Sequence, residues 1–178
     1  MRCPQCGTES NETYCTTCGH ELAVRGSGDA LTDQVLAGWG QRVGASILDY
    51  LILLAPLVIL KLLLGSIVGA VALVVLEAAY FVTQWLMYDG RTVGNRAVHT
   101  QVRDEKSGAA ITNTQALWRY FYLEVGVIFE IVGAGANSAP LLALAGAYFL
   151  VDLFFPLWDQ RNQTLHDKLA HTIVVVTD

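Results

Sequence analysis

From Ala45 to Met87 this chain carries only three charged residues, Asp49, Lys61 and Glu77. A helix that crosses the hydrocarbon core of a bilayer needs about 20 mostly apolar residues. The stretch therefore holds two spans, 45–64 and 67–87, with a tight turn at Gly65-Ser66 between them and Lys61 snorkelling outward. A second apolar block, 117–158, is broken by the small-residue run Gly133 to Pro140, which gives a shorter third span over 117–133 and a fourth over 139–157. With 53% hydrophobic and 15% charged residues, the chain is too apolar for an ordinary soluble domain. The expected fold is an all-α membrane protein, a four-helix transmembrane bundle.

Polar segments punctuate the spans. Residues 23–38 contain Arg25-Gly26-Ser27-Gly28-Asp29, the composition of a flexible linker. In the loop 88–116, Ala97 to Arg103 alternates apolar and polar, Asp104 to Gly108 reads as a turn, and Ala109 to Thr112 follows, so a small hairpin is expected. The β-branched run Thr172 to Thr177 could add a strand to that small cytoplasmic β element. Thr112 and Gln115 have the spacing of a capping box that opens the third helix.

The first residues are of another kind. Cys3-Pro4-Gln5-Cys6 and Cys15-Thr16-Thr17-Cys18 are doubled C-x2-C turns, each followed by glycine, the spacing of four thiolates around one Zn2+. The polar residues between them cannot build a core, so the metal would supply the folding energy of the piece. No signal peptide precedes the cysteines to send them to an oxidising compartment, and a βαβ setting for a redox C-x-x-C is missing. His20 reads as a bystander. Residues 1–22 resemble the small zinc-ribbon heads of many bacterial membrane proteins. The chain has net charge -5, and four thiolates with one Zn2+ leave the ribbon about two charges more negative. That excludes a phosphate footprint and hence nucleic acid; a cytosolic protein is the partner expected for the ribbon.

Basic residues set the topology. Arg91, Arg96, Arg103, Lys106 and Arg119 lie in or beside the loop, Arg161 and Lys168 in the tail, and Arg2, Arg25 and Arg42 at the head. The positive-inside rule then places both termini and the loop in the cytoplasm, where zinc-bound thiolates are also at home.

Five acids fall within the expected spans: Asp49, Glu77, Glu124, Glu130 and Asp152. A charged carboxylate at the midplane costs about 3 kcal/mol on the insertion scale. Neutralising a glutamic acid at pH 7 costs roughly 3.7 kcal/mol. The two are close, so a membrane acid can switch state with small local changes, as a proton or cation relay requires. Asp49, Glu77, Glu130 and Asp152 are the expected pathway, with structural hydrogen bonding as the competing role. Arg42 and Asp49 share a helix face two turns apart, about 10 Å along the axis, so each is expected to find its partner elsewhere. Gly40 and Gly44 form a G-x-x-x-G that would permit close helix approach.

Gln41-Arg42-Val43-Gly44-Ala45-Ser46-Ile47-Leu48-Asp49 resembles the opening of the RDD family of bacterial membrane proteins, named for one arginine and two aspartates. Asp89 to Arg96, Asp-Gly-Arg-Thr-Val-Gly-Asn-Arg, resembles the family's G-x-T-x-G-(K/N)-R loop. Asp159 to Val175 resembles its closing segment, with Asp167 as the second aspartate. The likeness runs from about Trp39 to Val176. His171 departs from it, standing where the family has glycine. The resemblance implies a multi-span inner-membrane protein and suggests transport. Arg42 and Asp167, on one side of the membrane, are expected to pair and close the bundle, with charge reversal at both restoring what each single change loses.

Two functions follow as expectations. One is transport of a cation or protons past the buried acids, with a homo-oligomer widening a thin pathway. The other is a scaffold that recruits a cytosolic partner through the ribbon. An enzyme is not expected: Asp49 and Asp152 lack a Gly-x-Gly-Asp setting, no P-loop or Gly-x-Ser-x-Gly occurs, and His166 beside Asp167 reads as an interfacial pair.

Overall fold

The computed structural model describes residues 34–177, together with Thr17. The four cysteines, the ribbon and most of the linker lie outside the described residues. Helix α1 (Trp39–Leu64) and α2 (Ser66–Met87) form an antiparallel pair. They are joined at Gly65, whose φ of 80° supplies the turn expected there. After the short helix α3 (Val93–Ala97) come strand β1 (Thr100–Asp104), α4 (Asn113–Leu123), α5 (Val125–Gly135) and α6 (Ala139–Phe154). A 3-10 turn (Phe155–Leu157), α7 (Leu165–Leu169) and strand β2 (Thr172–Val176) complete the chain.

Among the described residues, three helical segments are long and apolar enough to cross a membrane: Trp39–Leu64, Val68–Met87 and Ala139–Leu157. Their apolar windows are only 12%, 17% and 17% buried by the protein itself. Side chains such as Leu62 and Leu63 stand 80% and 76% exposed. A helix whose leucines face outward in this way is stable where the surroundings are lipid.

The expected third span, 117–133, is corrected. The chain instead forms two helices that meet at Glu124, whose N–H is shared between the carbonyls of Tyr120 and Phe121 in a tightened turn. The halves answer to different neighbours. Helix α4 is amphipathic and packs on α2 and α7, with Arg119 and Tyr120 buried, whereas the apolar α5 packs on α6. At 11 residues, α5 is about 16 Å long, roughly half of a bilayer core.

The expected hairpin within 97–112 is also corrected. Ala97 ends a helix, and β1 pairs with β2 in antiparallel register, Val102 opposite Val174. Residues 109–112 are not a strand, because Thr112 already accepts the N–H of Gln115 while Gln115 Oε1 accepts that of Thr112, the capping box of α4. The last residues of the linker are not free either. Ala37 N–H donates to Val174 O at 3.0 Å, Val176 N–H donates to Val35 O at 2.7 Å, and Leu36 bridges Val175. The chain entering α1 therefore lies along the free edge of β2. The core sits where α2, α4 and this sheet meet, with Phe81, Trp85, Val102, Ala116, Tyr120 and Val174 buried together.

Candidate functional site

Asp49 sits on the buried face of α1, 2% exposed, and the 88–96 loop is shaped around it. Thr92 caps α3, accepting the N–H of Asn95, and its hydroxyl donates to Asp49 Oδ2 at 2.6 Å. Gly94 N–H donates to Asp49 Oδ1 at 2.8 Å, and Tyr80 from α2 donates to the same oxygen at 2.7 Å. A Cβ on Gly94 would come within 2.0 Å of the Ala45 carbonyl oxygen, so only glycine lets α3 lie this close to α1. One turn earlier Gly90 (φ 77°) abuts Val102 of β1. The close approach is thus at Gly94. Gly40 meets nothing within 4 Å and Gly44 only Val98 at 3.6 Å, which corrects the reading of that pair as a helix-packing motif.

Asp167 is fully buried in α7. Thr164 and Asp167 form a reciprocal capping box: Thr164 N–H donates to Oδ2 at 3.0 Å and Asp167 N–H to Thr164 Oγ1 at 3.2 Å. Arg42 forms the expected pair with Asp167, at Oδ2, and also reaches Thr164 Oγ1 at 3.3 Å. A second cation, Arg119 of α4, pairs with Oδ1, donates to Thr172 Oγ1 at 2.6 Å, and lies 5.1 Å over the Trp85 ring. Arg119 reads in the sequence as one more basic residue at a helix end. Its spacing in α4, which turns it onto the face shared with Ala116 and Tyr120, is the one local hint of burial. The distance from Arg42 to Asp49 is left unbridged, each having found other partners.

Asp152 of α6 takes the neighbouring position. His166 N–H donates to its Oδ1 at 2.9 Å and His166 Nδ1 lies 2.7 Å from Oδ2, while His166 Nε2 stands 3.9 Å from Asp167. The side chains of Arg42, Asp167, His166 and Asp152 therefore link α1, α7 and α6 at one end of the bundle. Trp39 tightens the same end, its indole N–H donating to Leu153 O at 2.9 Å and its ring stacking on Phe154.

Outside this end, the remaining acids differ. Glu77 is buried at 6% exposure and is not among the residues that line the cavity described next. Glu130, expected deep in a span, is exposed on α5, because that helix turns its other faces to α6. Glu124, at the α4–α5 junction, is 2% exposed, and its Oε2 has no hydrogen-bond partner among the described residues. An orphaned buried acceptor costs about 1–3 kcal/mol, so this one calls for a reason beyond packing.

Beyond the Trp39 clasp, α1 separates from α5 and α6, and a cavity of about 1040 Å³ opens between them. Arg42, Asp49, Arg119, Glu124, Glu130, Asp152 and His166 line it, with walls that include Leu51, Leu54, Leu142 and Phe149. Away from the bundle, Asp104 organises the turn after β1. Partial burial works to raise its carboxyl, but hydrogen bonds from Ser107, Gln115 and Lys106 prevail and hold it down at about 2. Asp159 in the closing segment is likewise lowered. Burial opposes this, and donors from Lys168, Gln163 and Arg161 outweigh it. Among the described residues no group of three or more His, Cys, Asp or Glu is disposed to hold a metal ion.

Apolar helices facing outward, and a buried ionic cluster that gathers their ends, define a helical membrane protein. The chain belongs to the RDD family, whose model matches residues 36–171. The match takes in Arg42, Asp49 and Asp167, and with them the loop that caps Asp49. No curated protein and no solved structure matches the chain.

Proposed function

We propose that this protein is a multi-pass inner-membrane protein that moves a cation or protons past its buried acids and carries a cytosolic zinc-ribbon head for a protein partner. The observation that carries the reading is the cavity between α1 and the α5–α6 pair, where Asp49, Glu124, Asp152 and His166 share one space of about 1040 Å³. An acid kept only for packing is expected to be satisfied by fixed donors. Glu124 Oε2 has none among the described residues, and an unsatisfied membrane acid marks an ion or proton path by default. The excess of lysine and arginine in the 88–119 segment and the tail supports cytoplasmic termini. Thiolate chemistry supports Zn2+ at Cys3, Cys6, Cys15 and Cys18.

The second reading is a scaffold without transport, in which the ribbon recruits the partner and the acids hold the bundle. It draws on Asp49, both of whose oxygens are occupied by Tyr80, Thr92 and Gly94.

Reconstitution into liposomes separates the two. Cation-driven pH change that Glu124→Gln or Asp49→Asn abolishes supports transport; leak equal to that of empty liposomes leaves the scaffold. Zinc content of protein purified without chelators tests the head, and less than about half a metal per chain contradicts the single four-thiolate site.

A further inference from the structure

We propose that the cavity between α1 and the α5–α6 pair binds a lipophilic organic cation, a bulky hydrophobic amine or onium ion, with Glu124 as its counter-ion. This names a substrate class for the transport reading and depends on that reading only for passage of the ion, not for its binding.

Size is the first argument. Sites for small organic molecules occupy roughly 300–1,000 Å³, and this cavity, at about 1040 Å³, lies at the large end. A bare metal ion or a proton needs no such room. A metal would also need several oxygen or imidazole ligands converging on it, and the described residues offer no such group.

The walls are the second. Tyr50 from α1, Phe81 from α2, and Tyr148 and Phe149 from α6 all line the space. Aromatic faces attract a diffuse positive charge, most strongly where water is excluded, and the rings also cover an apolar body.

Charge is the third. Asp49, Glu124, Glu130 and Asp152 line the cavity against Arg42, Arg119 and His166. Both arginines are paired with Asp167, which neutralises one of the two charges, and Arg42 Nε and Nη1 and Arg119 Nε keep no hydrogen-bond partner among the described residues, so the sign of the site has to be tested directly. Asp49 is held by its three donors and Asp152 by His166. Glu124 remains: 2% exposed, lining the space, with Oε2 unpartnered among the described residues. Glu130 is exposed, so Glu124 is the buried acid of this lining left incomplete among the described residues, and a cation seated there neutralises it.

Tetraphenylphosphonium and tetraphenylborate have one shape and opposite charge, so the pair isolates the sign of the site. Equilibrium dialysis of the purified full chain in nanodiscs, with binding to protein-free nanodiscs of the same lipid subtracted, should show saturable protein-dependent binding of the phosphonium and none of the borate. Glu124→Gln should weaken phosphonium binding at least about tenfold, through loss of the Coulomb attraction between the carboxylate and the cation. Gly146→Leu supplies a second variant, because Gly146 lines the cavity and a Cβ there meets nothing within 4 Å, which leaves room for a larger side chain; by narrowing the space it should also weaken binding, whatever becomes of the Glu124 variant. Protein-dependent phosphonium binding unchanged in both variants, or protein-dependent borate binding as tight as that of phosphonium, overturns the proposal. Proton flux without phosphonium binding would overturn it while leaving transport in place; binding without flux would do the reverse.

Discussion

Arg42 and Asp167 stand 125 residues apart in the chain, and their side chains, 9% and 0% exposed, form an ion pair that joins the start of the first membrane helix to the last helix of the domain. The pair is not isolated. Arg119 claims the other oxygen of the same carboxylate, so one aspartate is shared by two arginines from two helices.

That triad changes the expectation for a charge swap. A two-residue bridge would be rescued by combining Arg42→Asp with Asp167→Arg. Here the new arginine would face Arg119, so the double variant should remain at least as unstable as either single one. Asp167→Asn alone should cost about 3–5 kcal/mol, the penalty for stranding buried charge. Thermal melting of the purified protein in detergent reads both, and recovery of the wild-type Tm by the swap would show that Arg119 does not depend on Asp167.

Gly94 gives a second test. Its Cβ position lies 2.0 Å from Ala45 O, against backbone rather than a flexible side chain. Gly94→Ala should destabilise by at least about 3 kcal/mol, the upper end of ordinary overpacking, and should free Asp49 from the Gly94 N–H. Gly146→Ala, in open space on α6, should leave the Tm unchanged or slightly higher. Equal melting of the two variants would contradict the close approach of α3 to α1.

Glu124 should show opposite effects on stability and function. Replacing it with leucine removes an orphaned buried acceptor, and the protein should gain about 1–3 kcal/mol while losing cation flux. A leucine variant that is both less stable and fully active would mean that the carboxyl is a structural partner.

Asp104 sets a pH dependence. Its carboxyl is lowered from 3.8 to about 2 in the folded protein, so the folded state favours the ionised form. The stabilisation is fully present above pH 4 or so and is lost as pH falls through about 2. Asp104→Asn should flatten the acid limb of a melting-temperature profile below about pH 4 and leave its slope above pH 6 unchanged. An acid limb identical to wild type would place the stabilising carboxylate elsewhere.

The parts of the fold that were legible are those written in local chemistry. A run of apolar residues longer than a bilayer announces helices, glycine marks the turn at residue 65, and Thr112 with Gln115 announces a helix start. Each depends on residues within a few positions of one another. The third span misled because its hydrophobicity is continuous across Glu124, whereas the packing partners of its two halves differ. The hairpin misled because alternation marks β1 without naming the strand it pairs with. Arg119 and Glu124 were legible as charges and not as members of a site.

Composition and short-range pattern by themselves determined that this is a membrane protein and how its first two helices turn; that Arg42 and Asp167 belong to one motif followed from the resemblance to the RDD family. Only the tertiary structure decided that Arg119 shares the Asp167 carboxylate with Arg42, that a glycine loop caps Asp49, and that Glu124 Oε2 is left without a partner among the described residues beside a cavity. The reason is physical. Burial of an apolar run follows from the run itself, but the cost of a buried charge depends on which distant groups arrive to meet it.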